Sequence, residues 1–265
     1  MKRLLTLLCA ALPLVAVADD KLTLTGSSTV APLALEIGKR FEKLNPGVRV
    51  DVQSGGSSRG ISDARSGLAD IGMVSRALKP EEKDLTPVLI ARDGVTVILH
   101  KSNPVKALTR EQVIAIYTGK IDNWLAVGGR DQKITVVNKA EGRSTLELFT
   151  QHFGLKNPDI KAQVVIGDNA QGIKTVAGNP GAIGYVSIGT AEFEADEGAA
   201  IKLLPLEGVA ASVANVSNET FPLARPLNLV TKGSPTGLAK RFIDFARSAQ
   251  ASDLVKEQFF VPVAR

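Results

Sequence analysis

The sequence predicts an α/β protein of two lobes, and three observations carry that prediction. Apolar strand-like runs alternate with helical patterns along most of the chain, as layered α/β proteins require. Two apolar runs, 95–100 and 226–231, bracket a middle segment that has strands and helices of its own. Three turns rich in Ser, Thr and Gly each join a strand to a helix. The expected division is 21–97 with 226–265 as one lobe and 98–225 as the other, with the two apolar runs as a two-strand hinge.

The first turn sets the pattern. Leu22-Thr-Leu-Thr25 is an apolar β-type run that breaks at Gly26 into Ser27, Ser28 and Thr29, after which Leu33, Ile37, Phe41 and Leu44 fall on one helical face. A hydroxyl residue suits a helix start because its oxygen takes a free backbone N–H, and Pro32 suits the first turn because it has no N–H to leave unpaired. Such a start gathers N–H and O–H donors at the positive end of a helix dipole, which favours an anion. The second turn repeats it: Val48, Val50 and Val52 alternate with polar residues, Gly55 and Gly56 allow close approach, and Ser57 and Ser58 open a helix carrying Ile61, Ala64 and Leu68. The third follows a strand at 134–137, where Lys139, Gly142, Arg143, Ser144 and Thr145 precede Leu146, Phe149 and Phe153. It adds two cations to the hydroxyls, and a planar guanidinium can hold two oxygens of one anion.

The remaining elements support these turns. Strands are expected at 70–74, ending in Ser75-Arg76, at 88–90, 95–100, 164–166, 182–187 and 226–231. Thr109 and Gln112 form a capping box for a short helix to Tyr117, Asp168 with Gln171 caps another, and Trp124 is read as a packing residue. Residues 189–222 read as mixed turns, and one terminal helix is expected over 235–249.

Composition narrows the function. Met1-Lys2-Arg3, an apolar run to Val17 and the small-x-small pattern Ala16-Val17-Ala18 read as a signal peptide over 1–18, so the product is expected outside the cytoplasmic membrane, in the periplasm or secreted. Cys9, the single cysteine, lies within that segment, so the mature chain has no thiol for disulfides, thiolate catalysis or zinc–sulfur sites. Without Lys2 and Arg3 the basic count falls from 32 to 30 against 27 acids, and aromatics make up 5% of the chain; a nucleic-acid partner is not expected. No later segment is apolar enough to insert in a membrane, and neither histidine has a metal-ligand spacing.

Eight motifs in order resemble one family. They are Gly26-Ser-Ser-Thr-Val-Ala-Pro32, Gly55-Gly-Ser-Ser-x-Gly60, Ala69-Asp-Ile-Gly-Met-x-Ser-Arg76, Asp93-Gly-Val, Tyr117-x-Gly-Lys-Ile-x-Asn-Trp124, Glu141-Gly-x-x-Thr145, Ala182-Ile-Gly-Tyr-Val186 and Arg225-Pro-Leu. Together they look like the phosphate-binding receptors of bacterial phosphate import, the PstS family of periplasmic binding proteins. The resemblance implies the type II two-lobed fold, each lobe a mixed sheet flanked by helices, closing over one dehydrated phosphate. It implies a monomer without cofactor that delivers inorganic phosphate to the transmembrane subunits of an ABC permease. Matching the family's ligand residues places contacts on Ser28, Thr29, Ser57, Ser75 or Arg76, Lys139, Gly142, Arg143, Ser144 and Thr145, with either Lys139 or Arg143 as the main cation.

Two departures from the family pattern bear on selectivity. The third turn usually reads Arg, two residues, then Gly-Ser-Gly-Thr, whereas here Lys139 leads and the guanidinium comes at Arg143. Longer members end the third strand in an aspartate that accepts the proton of monohydrogen phosphate; Ser75-Arg76 stands there, so discrimination against sulfate is expected to weaken unless Glu141 faces the cleft. The alternatives are a receptor for another tetrahedral oxyanion, an adhesive or signalling module on the same fold, and a serine hydrolase. For the last, Gly56-Ser-Ser-Arg-Gly60 fits G-x-S-x-G, with Ser58 as nucleophile and His100 or His152 as base.

Overall fold

In the computed structural model, which describes residues 20–263, β1 (Asp20–Gly26), β2 (Val48–Ser54) and β3 (Ile71–Val74) lie parallel, with β1 in the middle. Parallel neighbours need crossovers, here α1 (Ala31–Leu44) and α2 (Ser57–Ser66), so all three strands end at the same edge of the sheet. Leu22 and Leu24 of β1 pack under Leu33, Ile37 and Phe41 of α1, and the Phe41 ring meets Phe242 edge-on at 5.4 Å. Leu44 and Leu68, expected on the buried faces, are exposed: α1 ends at Leu44 and α2 has ended before Leu68. The signal segment expected over 1–18 lies outside the described residues.

The longest strand, β4 (Leu85–His100), corrects the expectation of separate strands at 88–90 and 95–100. A hydrogen-bonded strand runs straight through Arg92-Asp93-Gly94, because Asp93 stands opposite Arg225 in register and the charge is paired across the sheet. After α3 (Arg110–Tyr117), β5 (Thr135–Lys139), α4 (Ser144–Phe153), β6 (Val164–Ile166), α5 (Asn169–Ala177) and β7 (Ala182–Ser187) build a second parallel group, with β5 between β6 and β7. The segment read as mixed turns holds α6 (Ile188–Asp196), β8 (Ile201–Leu203) and α7 (Val213–Ser217). Then β9 (Ala224–Lys232) returns to the first group. The expected single terminal helix is two, α8 (Gly237–Ala246) and α9 (Ala249–Glu257), followed by β10 (Val261–Pro262).

The sheet order is β2-β1-β3-β9-β4-β7-β5-β6, with β8 and β10 also on β4. From Leu85 to Gly94, β4 pairs antiparallel with β9; from Val95 onward it pairs with β7 and, from Ile98, with β8. The runs 95–100 and 226–231 therefore belong to different halves of the sheet and do not pair with each other. Two lobes result, each with its own core. In the second, Phe149 stacks on Tyr185 at 3.9 Å, Tyr117 leans on both, and Trp124 is buried with its indole N–H donating to the Gly181 carbonyl at 2.9 Å.

At the end of β1, Gly26 has φ +130°, and a side chain there would collide with the Met73 carbonyl oxygen on the neighbouring strand. Gly26→Ala is expected to cost about 2 to 4 kcal/mol of stability from strain and overlap together. Urea denaturation followed by the fluorescence of Trp124 measures it, and a midpoint equal to wild type contradicts the assignment.

Candidate functional site

In an α/β sheet the turns at the carboxyl ends of parallel strands share one edge, so a ligand placed there meets several helix N-termini at once. That holds here for both lobes. The turns after β1, β2 and β3 come from the first, and those after β5 and β6 from the second. Side-chain capping, expected of the hydroxyls, is absent at the N-cap of α1, Val30; Ser27 Oγ instead closes the turn before it, accepting from Thr29 N at 3.2 Å and Val30 N at 3.3 Å. At α2 and α4 the N-cap residues are Gly56 and Arg143, with no side-chain cap.

Arg225 ties the turns together. Its guanidinium, fully buried, gives Nε and Nη2 to one oxygen of Asp93 at 3.0 and 2.7 Å. Its remaining donors reach Thr29 Oγ1 at 3.1 Å and Ser75 Oγ at 3.4 Å in the first lobe and Thr145 Oγ1 at 3.0 Å in the second. The other Asp93 oxygen accepts from Gly189 N, at the start of α6. All five guanidinium donors are thereby used. A hydroxyl that accepts from arginine keeps its own proton free to donate, so Thr29 and Thr145 are held as donors.

The other expected residues divide into those gathered here and one that is not. Ser57 and Ser75 are buried and joined, with Ser57 Oγ accepting from Ser75 N at 3.1 Å, and Ser27 bonds Ser75 Oγ at 2.9 Å. Ser28 is half-buried beside Thr29. Lys139, 2% exposed, gives Nζ to Asn169 Oδ1 at 2.9 Å, while Asn169 Nδ2 donates to Thr29 Oγ1 at 3.1 Å, so Asn169 links the lobes. Gly142 lies against the second turn: Ser58 N donates to its carbonyl at 3.2 Å, and a Cβ on Gly56 would stand 2.5 Å from that oxygen. Arg143 Nε and Ser144 Oγ are buried with no hydrogen-bond partner in the protein.

Arg76 is committed elsewhere. Its guanidinium forms a two-pronged pair with Glu82, both bonds at 2.7 Å, and approaches Glu147 at 2.9 Å. Of the two residues ending β3, Ser75 faces the shared turns. Glu141, the possible substitute acceptor, is exposed and accepts from Asn157, so it neither enters the cleft nor caps α4.

Electrostatics in the site are one-sided. Burial, then the charges of Arg225 and Arg143, push the Lys139 ammonium down to about 7, with Asp168 opposing. Burial likewise pushes Arg143 down, again opposed by Asp168. Cations, helix N-termini and hydroxyl donors thus surround one locus, which suits a small oxyanion. The hydrolase arrangement is not assembled. Ser58 Oγ is within 3.3 Å of Glu147, His100 bonds Ser102 at 2.7 Å, and His152 lies 3.3 Å from Glu207 against Phe153. Among the described residues no His, Cys, Asp and Glu cluster could hold a metal, and no helix is long and apolar enough to cross a membrane.

Known proteins are similar to this chain. A family profile described as the PBP superfamily domain matches residues 15–250. The phosphate-binding protein PstS of Bacillus subtilis is 32% identical over 252 residues, covering 93% of this chain and 82% of that protein. The chain belongs to the PstS family. Its counterpart in Borreliella burgdorferi is 26% identical, covering 90% and 88% of the two chains. The structure of a Clostridium perfringens substrate-binding protein assigned to phosphate ABC transport, solved with bound phosphate, superposes with a TM-score of 0.84 at 34% identity, covering 92% of this chain and all of that one. An ABC-type phosphate transport receptor from Vibrio cholerae gives 0.75 at 32%, covering 91% and 100%. The fold is therefore the type II two-lobed periplasmic-binding-protein fold.

In this PstS-family chain, Asp93, Arg225 and Asn169 are the site residues that residue-by-residue reading missed. Asp93 and Arg225 stood in the motifs without a role; the signal was charge inside each of two apolar strands, Arg92-Asp93 in one and Arg225 in the other. Asn169 followed a capping aspartate and carried no signal of its own.

Contacts across the lobes also include Glu147 of α4, which meets Arg76 at 2.9 Å, Lys79 at 3.1 Å and Ser58. Glu147→Gln keeps the shape and removes the charge. The ligand-free variant is expected to open, read as a larger radius of gyration in small-angle X-ray scattering; an unchanged curve means these pairs do not hold the lobes together.

Proposed function

We propose that this chain is an exported receptor that captures inorganic phosphate between its lobes and hands it to the transmembrane subunits of an ABC permease. The observation that carries the reading is the pair of buried atoms Arg143 Nε and Ser144 Oγ, unpartnered among Lys139, Thr145 and Arg225. Buried polar groups are costly unless paired, and a tetrahedral oxyanion supplies acceptors to all of them at once. The named functions of the relatives agree with it. Binding is noncovalent, the protein acts as a monomer and not as an enzyme, and its place of work is the periplasm.

The ligand set of this proposal is Ser28, Thr29, Ser57, Ser75, Lys139, Gly142, Arg143, Ser144 and Thr145, with Arg225 beneath them as the orienting cation and Arg76 left out. The lobe boundaries belong to the same reading: 21–97 with 226–265 against 98–225, supported by the change of partners of β4 between Gly94 and Val95. Closure brings the Lys139 to Thr145 turn onto an anion seated on the first lobe, and the loss of water strengthens each hydrogen bond. Ser75 Oγ takes hydrogen bonds from Arg225 and Ser27, which leaves it a proton to donate rather than a lone pair for a ligand proton, so discrimination against sulfate is expected to be weak.

Calorimetric titration with phosphate tests the assignment. Ser57→Ala and Thr145→Ala are each expected to weaken binding by about 1 to 3 kcal/mol. Arg143→Ala is expected to lose more, about 3 kcal/mol or above, because a charged donor is removed. Undiminished affinity in Arg143→Ala removes that residue from the site. Sulfate and arsenate in parallel measure selectivity.

Lys139 adds a pH signature. An anion favours the ammonium form, so the pKa of about 7 in the free protein rises on binding. Above about pH 7 the complex therefore holds more protons than its separated parts, and affinity falls as pH rises. Titrations at about pH 8.5 in buffers of different ionisation enthalpy are expected to report uptake approaching about one proton, absent in Lys139→Met. Equal apparent enthalpies in all buffers contradict the assignment.

A further inference from the structure

Beside the turns lies a groove of about 470 Å³, bounded by the start of α1, by α5 and α6, and by the chain near Phe260. Its rim is apolar at Leu35, Phe193 and Phe260, and the first two are exposed. Two of the residues lining it, Thr29 and Asn169, also bond the buried cations of the site, Thr29 accepting from Arg225 and Asn169 from Lys139. Arg225, Lys139 and Thr145 do not line the groove. Ser28 of the proposed ligand set lines the groove as well, and the Thr29–Asn169 contact stands between the groove and the buried cations.

We propose that Asn169 is the specificity-determining residue of this contact, admitting inorganic phosphate and refusing a phosphonate or phosphate monoester that carries an apolar group. The inference rests on the phosphate reading above. Asn169 is 3% exposed and both ends of its amide are used, Nδ2 on Thr29 and Oδ1 on Lys139. Its backbone is fixed as the first residue of α5, behind the Asp168 cap on Gln171 N at 2.8 Å. Thr29 Oγ1 in turn accepts from Asn169 and Arg225 together, so the contact has no slack. A substituent on phosphorus needs space outside the hydrogen-bonding shell, and the groove supplies it only if the Asn169 side chain gives way. Once open, the apolar rim suits an aromatic or aliphatic group, while the carboxylates of Asp168 and Glu194 disfavour a second anionic one.

The test titrates wild type and Asn169→Ala with inorganic phosphate and with phenylphosphonate. Wild type is expected to bind phosphate and to give no measurable heat with phenylphosphonate. Asn169→Ala is expected to bind phosphate more weakly and to gain phenylphosphonate binding of at least about tenfold over wild type. Leu35→Trp added to Asn169→Ala fills the groove and is expected to reverse the gain. Should Asn169→Ala lose its fold, Asn169→Ser, which keeps a hydroxyl for Lys139, carries the same comparison. Wild type binding phenylphosphonate within tenfold of phosphate overturns the inference, as does a variant that binds phosphate and still refuses the phosphonate. A wild type blind to phosphate overturns the functional reading itself, and this inference with it.

Discussion

The Arg225 guanidinium and the Asp93 carboxylate sit opposite each other on β9 and β4, both wholly buried, where the two lobes meet. Removing two charges from water costs several kcal/mol per ion unless geometry and further hydrogen bonds repay it. Here the repayment comes from both lobes: Thr29 and Ser75 on one side, Thr145 and the Gly189 amide on the other. A pair satisfied this way fixes the relative position of turns far apart in sequence. It also commits hydroxyl oxygens as acceptors and leaves hydroxyl protons for a ligand.

Around that pair the charges have separate tasks. Among the described residues no carboxylate is hydrogen-bonded to Lys139 or Arg143, and burial lowers the pKa of both, to about 7 for Lys139. Arg76 has the opposite setting. Burial alone would lower its pKa, but Glu82 and Glu147 hold it above the ordinary value, and it serves as a strut between lobes. Under the proposed ligand set, residues of one type thus divide between ligand and framework according to which carboxylates the fold places beside them.

Much of this was legible in order along the chain. The three strand, turn and helix units were written in local patterns, since apolar periodicity, hydroxyls at helix starts and glycines at sharp turns act over a few residues. The capping of α3 by Thr109 and Gln112, the buried Trp124, and the Leu146, Phe149 and Phe153 face of α4 followed for the same reason. Where a charge interrupts a buried strand, the local rule fails. Arg92-Asp93-Gly94 reads as a break, and its pairing with β9, where Asp93 meets Arg225, keeps β4 continuous. The stretch 189–222 failed differently, because α6, β8 and α7 are short and pack onto elements remote in sequence.

The sequence by itself determined the α/β class, the three donor-rich turns and the family to which they belong, because each is carried by neighbours within one turn or strand. Tertiary structure decided which of those donors face one another. It removed Arg76 from the site, brought in Arg225, Asp93 and Asn169, and set the hydroxyls of Thr29 and Thr145 as donors. The physical reason is that a side chain's role in a buried polar network depends on every partner competing for its protons and lone pairs. Those partners, 80 residues away for Thr145 and 196 for Thr29, become neighbours only when the two lobes close on the same edge of the sheet.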